Sequence, residues 1–348
     1  MKKPLISALF FLGILTLIAC KQDRKVTRAM YYWKTVLAAN PSDKAPMAEH
    51  SVRKLYVKFF DVTWNANLNR PDPAAKIQII PQAVDWLQND SIELVPAIFI
   101  TNECMKMIAA NATDELGERI NYLLGGMLTV QNLPKVKEIQ IDCDWTEESR
   151  DKYFALLTYL KTLPLFMDSK LSVTVRMHQC KFSTKMGIPP ADRGLLMCYN
   201  MGNLKDSKTG NSILEANELE KYIENLNSYP LPLDIALPLF EWKVLFRNNQ
   251  FDGIISNISD SALAGVATAS GNNYTFNKDT LLVGYPFRKG DVLRVEKSSY
   301  NEIIKTANLL SPKLRTEEFT LSLFHLDSTV LSKFSKNELE TIYNSLNK

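Results

Sequence analysis

The stretch Val136-Lys137-Glu138-Ile139-Gln140-Ile141-Asp142-Cys143-Asp144-Trp145-Thr146 decides how the rest of the chain is read. Alternate residues of a strand share a face, so Ile139, Ile141, Cys143 and Trp145 point one way and Gln140, Asp142, Asp144 and Thr146 the other. One face is apolar and the other chemical. Acids along one face at the carboxyl end of a strand, followed by a helix-like segment at 147–161, are what a central strand of an α/β barrel offers to the barrel mouth. The competing assignment is an edge strand with a merely wet polar face, and the apolar strands on either side argue against an edge.

Working outward, further strand patterns fall at 29–35, 54–64, 92–100, 171–179, 194–202, 233–242 and 319–327. Helical spacing or crossover composition separates them at 81–88, 114–129, 148–160, 215–226, 299–310 and 336–346. In 171–179 the alternation puts Ser172, Thr174, Arg176 and His178 on one face, the face that a barrel interior or a site would collect. The expected fold is α/β, a (β/α)8 TIM-type barrel spanning 29–348, with an insertion at about 251–297 between strands seven and eight.

Length and composition suit one large domain. The 348 residues carry 41 basic and 38 acidic side chains, a net charge of +3 spread without long runs, which leaves no footprint for nucleic acid. Only 13 glycines and 16 scattered prolines leave no room for a long flexible linker. Three histidines (His50, His178, His325) without mutual ligand spacing argue against a metal, and no cofactor motif occurs. Cys104, Cys143, Cys180 and Cys198 each lie in or just after an apolar strand with no CxxC spacing, so they read as small core residues rather than bridges.

At the N-terminus Lys2 and Lys3 precede an apolar run at 4–18, and Leu17-Ile18-Ala19-Cys20 follows at once. That run of ~15 residues falls short of the ~20 that span a bilayer. The pattern resembles a bacterial lipobox. The resemblance implies a signal peptide at 1–19, lipidation of Cys20, a polar tether over 20–28 and anchoring by acyl chains. Lys21 in the following position favours the outer membrane.

In a barrel the carboxyl ends of the strands converge on one mouth. The candidates there are Asp61, Glu103, Asp142, Asp144, His178, Tyr199, Asn200, Glu241, Trp242, His325 and Asp327. Hydrolysis of a glycosidic bond uses two carboxyl groups, or one plus a substrate amide, because the leaving oxygen must be protonated while an oxocarbenium-like transition state is stabilised. Trp64, Trp145 and Trp242 would offer flat surfaces for a sugar ring, although any one of them is more often core.

I-D-C-D-W-T, M-C-Y-N and L-P-L-F-E-W together resemble the chitinase-like barrels of glycoside hydrolase family eighteen, whose fourth strand reads D-x-x-D-x-D-x-E and sixth M-x-Y-D. On that pattern Asp142 and Asp144 hold the two inner aspartate positions, Ile139 replaces the first, and Thr146 stands where the acid glutamate would be. Asn200 replaces the aspartate beside Tyr199. With its lipobox the whole chain resembles a group of bacterial lipoproteins whose barrels are related to glycoside hydrolases. The resemblance implies a carbohydrate ligand, and three uses of the fold follow. Asp142 or Asp144 could act as acid with Glu241 as nucleophile or base; Trp64, Asp61, His178, Tyr199, Asn200, Trp242 and Asp327 could bind a glycan without cleavage; or the barrel could serve as a scaffold, since fold does not fix function.

Overall fold

The computed structural model describes residues 24–256 and 258–347. Cys20 and the signal-like segment lie outside them. Eight parallel strands form a closed ring: β1 (Lys25–Tyr32), β2 (Lys54–Asn65), β3 (Glu93–Ile100), β4 (Glu138–Asp142), β5 (Lys170–Arg176), β6 (Arg193–Met197), β7 (Leu233–Pro238) and β8 (Glu318–Phe324). Each pairs with its neighbours in sequence, and β1 pairs with both β2 and β8, which closes the barrel. The short antiparallel strand Arg70–Ala74 extends β2 as a hairpin.

Every residue of β4 is buried, because one face packs inside the barrel and the other lies under helices. The helix Arg150–Leu160 covers that outer face with Tyr153, Leu156, Leu157 and Leu160, the residues its helical spacing brings together. Trp145 is wholly buried in this layer, stacked on Tyr153 at 5.4 Å, with its indole N–H donated to the Met186 carbonyl at 3.1 Å. It is therefore core and offers no surface to a sugar.

The amino end of the barrel interior is charged. Lys54 Nζ lies 2.6 Å from Glu138 and 3.1 Å from Glu93, and Arg193 binds Asp234 through two hydrogen bonds of 2.8 and 2.9 Å. Mutual pairing is what makes such burial tolerable.

Several boundaries differ from the sequence pattern. β1 begins at Lys25, taking residues that composition assigns to the tether. β4 stops at Asp142, and 143–146 run on without a ladder, so Asp144 and Thr146 sit on a loop. The fifth and eighth strands end at Arg176 and Phe324, with His178 on the short helix Met177–Lys181 and Asp327 capping another. The seventh strand stops at Pro238, and Glu241 and Trp242 belong to the first strand of the insertion.

That insertion is a five-stranded antiparallel sheet in the order Gln250–Ile255, Glu241–Arg247, Val292–Lys297, Asn273–Phe276, Ala267–Ser270. It has its own small core of Leu245, Ile255, Ile258, Leu263, Phe276, Phe287 and Leu293. The chain enters and leaves it side by side, with the Ser298 N–H and hydroxyl both donated to the Phe240 carbonyl at 3.2 and 3.0 Å.

Candidate functional site at the barrel mouth

The carboxyl ends of the strands bring together a set of aromatic rings around Phe324, the last residue of β8. Its ring centroid lies 5.6 Å from Tyr31, 5.9 Å from Trp33, and 5.7 Å from each of Tyr199 and Phe240. The array continues from Trp33 to Phe99 at 6.4 Å and from Phe240 to Trp242 at 5.2 Å. Tyr31 and Tyr199 are buried, while Trp33, Phe99, Phe240, Trp242 and Phe324 each keep part of their surface open. A line of half-open rings therefore crosses the mouth from β3 to the insertion.

Two acids stand beside these rings in different states. Asp142 ends β4 at 9% exposure and accepts a hydrogen bond of 2.5 Å from the Thr174 hydroxyl on β5. Burial, and then the charge of Asp144, push its carboxyl up to about 7, against the opposing hydrogen bond from Thr174 and the charge of Arg176. Asp144 is open to solvent, its carboxylate 3.2 Å from Arg176 Nη1. The other guanidinium nitrogen of Arg176 donates to the Asn200 carbonyl at 2.9 Å, tying the loops after β4 and β6 to the end of β5. Asn200 has φ 55, a left-handed conformation that asparagine tolerates.

Asp61 and Lys58 pair at 3.0 Å on β2, and a register shift between Lys58 and Phe60 places the bulge that separates them. Lys58 Nζ also lies 5.3 Å from the centre of the Trp33 ring.

At position 146, where the resemblance puts an acid glutamate, the threonine is anchored locally. Its N–H is donated to Ser149 Oγ at 3.0 Å, and Ser149 in turn donates to Asn102 Oδ1 at 2.5 Å. A hydroxyl there cannot deliver a proton at neutral pH as a raised-pKa carboxyl does.

The remaining sequence candidates are placed as follows. Glu241 Oε1 is 2.6 Å from Lys333 Nζ, so it and Asp144 each hold their own cation. The Trp242 indole N–H is donated at 2.7 Å to Glu296, which is fully buried and also accepts from Ser212 and, at 2.7 Å, from Arg294. Tyr199 packs edge-on to Phe240, and burial raises its hydroxyl far above the usual range. Asp327 serves the fold: it caps the helix Ser328–Leu331 and pairs with Lys34 at 2.8 Å. Burial raises its carboxyl, but Lys34 and the amides of Val330 and Thr329 outweigh that and leave it at about 2. Trp64 lies on the β2 hairpin opposite Pro71. His178 and Glu103 are exposed on short helices, while His325, next to Phe324, is half-buried and its ring is held below its ordinary pKa by burial.

Thr174 and Arg176, which strand alternation places on the face a site would collect, belong to the mouth, as do Trp33, Phe99, Phe324 and Lys58, which the sequence pattern does not single out. For Trp33, Phe99 and Phe324 the available signal was positional, since each sits at or next to the carboxyl end of a strand, whereas Lys58 lies in the first half of β2. Among the described residues no cluster of three or more histidine, cysteine or acidic side chains is arranged to hold a metal ion, and no helix is long and apolar enough to cross a membrane. Cys104, Cys143, Cys180 and Cys198 are buried and unbridged.

No protein-family model and no curated protein matches the sequence. Solved structures do match. A chitinase from Chromobacterium violaceum superposes with TM-score 0.56 at 13% identity, covering 93% of this chain and 99% of that one. The fold is that of chitinases and chitinase-like proteins. The chitinase-like barrel also matches the C-terminal domain of a putative chitinase from Desulfitobacterium hafniense, with TM-score 0.59 and 12% identity over 94% and 100% of the two chains. A chitinase-like agglutinin from Robinia pseudoacacia matches at TM-score 0.53 and 11% identity over 91% and 99%. A class V chitinase from Nicotiana tobaccum, solved as an E115Q mutant in complex with NAG4, matches at TM-score 0.51 and 10% identity over 92% and 99%.

Proposed function

We propose that the mouth of this chitinase-like barrel binds a saccharide without cleaving it. The observation that carries the proposal is the pairing of an open aromatic line, from Phe99 through Trp33 and Phe324 to Trp242, with Thr146 at the place of the proton donor. Flat apolar rings with polar edges nearby suit the faces of a sugar, and Asp61, Asp142, Asp144 and Arg176 supply acceptors and donors at those edges. Asp144 and Glu241, the acids that would act as a catalytic pair, are each paired with a cation. That a structural neighbour carries NAG4 and another is an agglutinin supports a carbohydrate ligand, with or without turnover.

A glycan array probed with the parent and with Trp33→Ala tests this. The parent should retain at least one glycan, and Trp33→Ala should weaken that glycan about tenfold, or 1.4 kcal/mol. No retained glycan, or one held equally by the variant, contradicts the assignment of the mouth.

One observation favours hydrolysis instead: burial and the neighbouring charge of Asp144 hold the Asp142 carboxyl up to about 7, and a carboxyl that keeps its proton near neutrality suits a general acid. If the site turns over substrate, with Glu241 as partner across the mouth, single amide substitutions at Asp144 and Glu241 should each remove most of kcat and the double variant little more.

A further inference from the structure

The helix Thr113–Val130, between β3 and β4, packs on the outside of the barrel, and its outer surface carries unusually exposed apolar side chains. Tyr122 and Val130 are 85% and 86% exposed, more than any other large apolar side chain among the described residues. They lie on one ridge of residues spaced four apart, which reads Glu118, Tyr122, Gly126, Val130. Gly126, at its centre, has open space where a side chain would stand.

Grooves run along both sides of this ridge. One, with a volume of about 480 Å³, lies between the helix and the β2 hairpin, walled by Phe60, Pro71 and Pro73. The other, about 530 Å³, is bounded by Gly125, Leu133 and Leu165. An apolar ridge with a gap at its middle and grooves beside it matches the surface that packs against a copy of itself, ridge into groove, with the closest approach at the glycine.

Charge selects the occupant and its direction. The amino-terminal half of the exposed face is acidic on balance (Asp114, Glu115 and Glu118 against Arg119), and the chain just beyond the helix carboxyl end is basic on balance, with Lys135 and Lys137 exposed and Asp168 3.6 Å from Lys135. An antiparallel second copy sets each acidic end against the other's basic end and opposes the two helix dipoles, whereas a parallel one sets acid against acid.

We propose that two copies of this chain associate through these helices about a two-fold axis near Gly126. Both mouths then remain open, so a dimer would present two sites to a multivalent ligand. Association on the flank is independent of what the mouth binds, so its test fails or succeeds separately.

Sedimentation of the full chain should give about twice its mass of 39.5 kDa, and Tyr122→Arg should raise the dissociation constant at least tenfold. Because residue 126 meets its own copy at the axis, Gly126→Cys should form a disulfide-linked dimer on mild oxidation, while Asn111→Cys, exposed at the far end of the face, should not. Both positions are open, so neither change threatens the fold. A parent that sediments as a monomer overturns the proposal, and so does a dimer that Gly126→Cys fails to cross-link.

Discussion

A carboxyl group that keeps its proton close to neutrality leaves a mark on stability, and Asp142 is placed to do so. Its folded pKa of about 7 lies above the 3.8 of the free side chain, so the native state binds the proton more tightly than the unfolded chain. That stabilising contribution is complete below about pH 4 and is lost as pH rises through 7. Asp142→Asn keeps an oxygen for the Thr174 hydroxyl and has no charge to bury. It should match the parent at pH 4 and exceed it at pH 8 by up to roughly 4 kcal/mol, read from urea unfolding. A variant with the parent's pH dependence contradicts the placement. At this scale the sequence was partly legible. Strand alternation identifies Asp142 and Thr174 as inward, because period two is strict wherever a ladder holds. Asp144 and Thr146 lie past the ladder, where alternation says nothing, and Trp33 and Phe324 are aromatic strand-end residues that composition cannot tell from core.

The insertion is the element that sequence pattern described least well. L-D-I-A-L-P-L-F-E-W-K-V-L-F is continuous in apolar content, so a barrel strand and the first strand of a second sheet read as one, although the break comes at Pro238. What fastens this sheet to the mouth is a buried pair: Arg294, 2% exposed, holds Glu296 and donates to the Asp206 and Leu204 carbonyls at 2.7 and 3.1 Å. Glu296 in turn holds Trp242. Glu296→Ala leaves the guanidinium buried without its carboxylate, at a cost of about 3–5 kcal/mol. Since the insertion has a core of its own, the loss should appear there first, as faster amide hydrogen exchange across 241–297 with the barrel strands still protected. Uniform loss of protection over the whole chain would show instead that sheet and barrel unfold as one unit.

For the molecule as a whole, strand–helix alternation was enough for the barrel, because eight apolar runs each buried on two faces have few other ways to close. Reach at the mouth was not legible, since it depends on which strand ends meet across the ring. The lipobox resemblance makes a whole-molecule proposal too: Cys20→Ala should free the protein from the membrane fraction, and a variant that stays bound like the parent contradicts lipid anchoring there. The most direct test of the central claim is the fate of the ligand. The glycan that the array selects is incubated at length with the purified chain, and its mass spectrum and reducing ends are followed alongside its dissociation constant. The account predicts saturable binding with the glycan recovered intact; catalytic release of new reducing ends, abolished by Asp144→Asn, would contradict it.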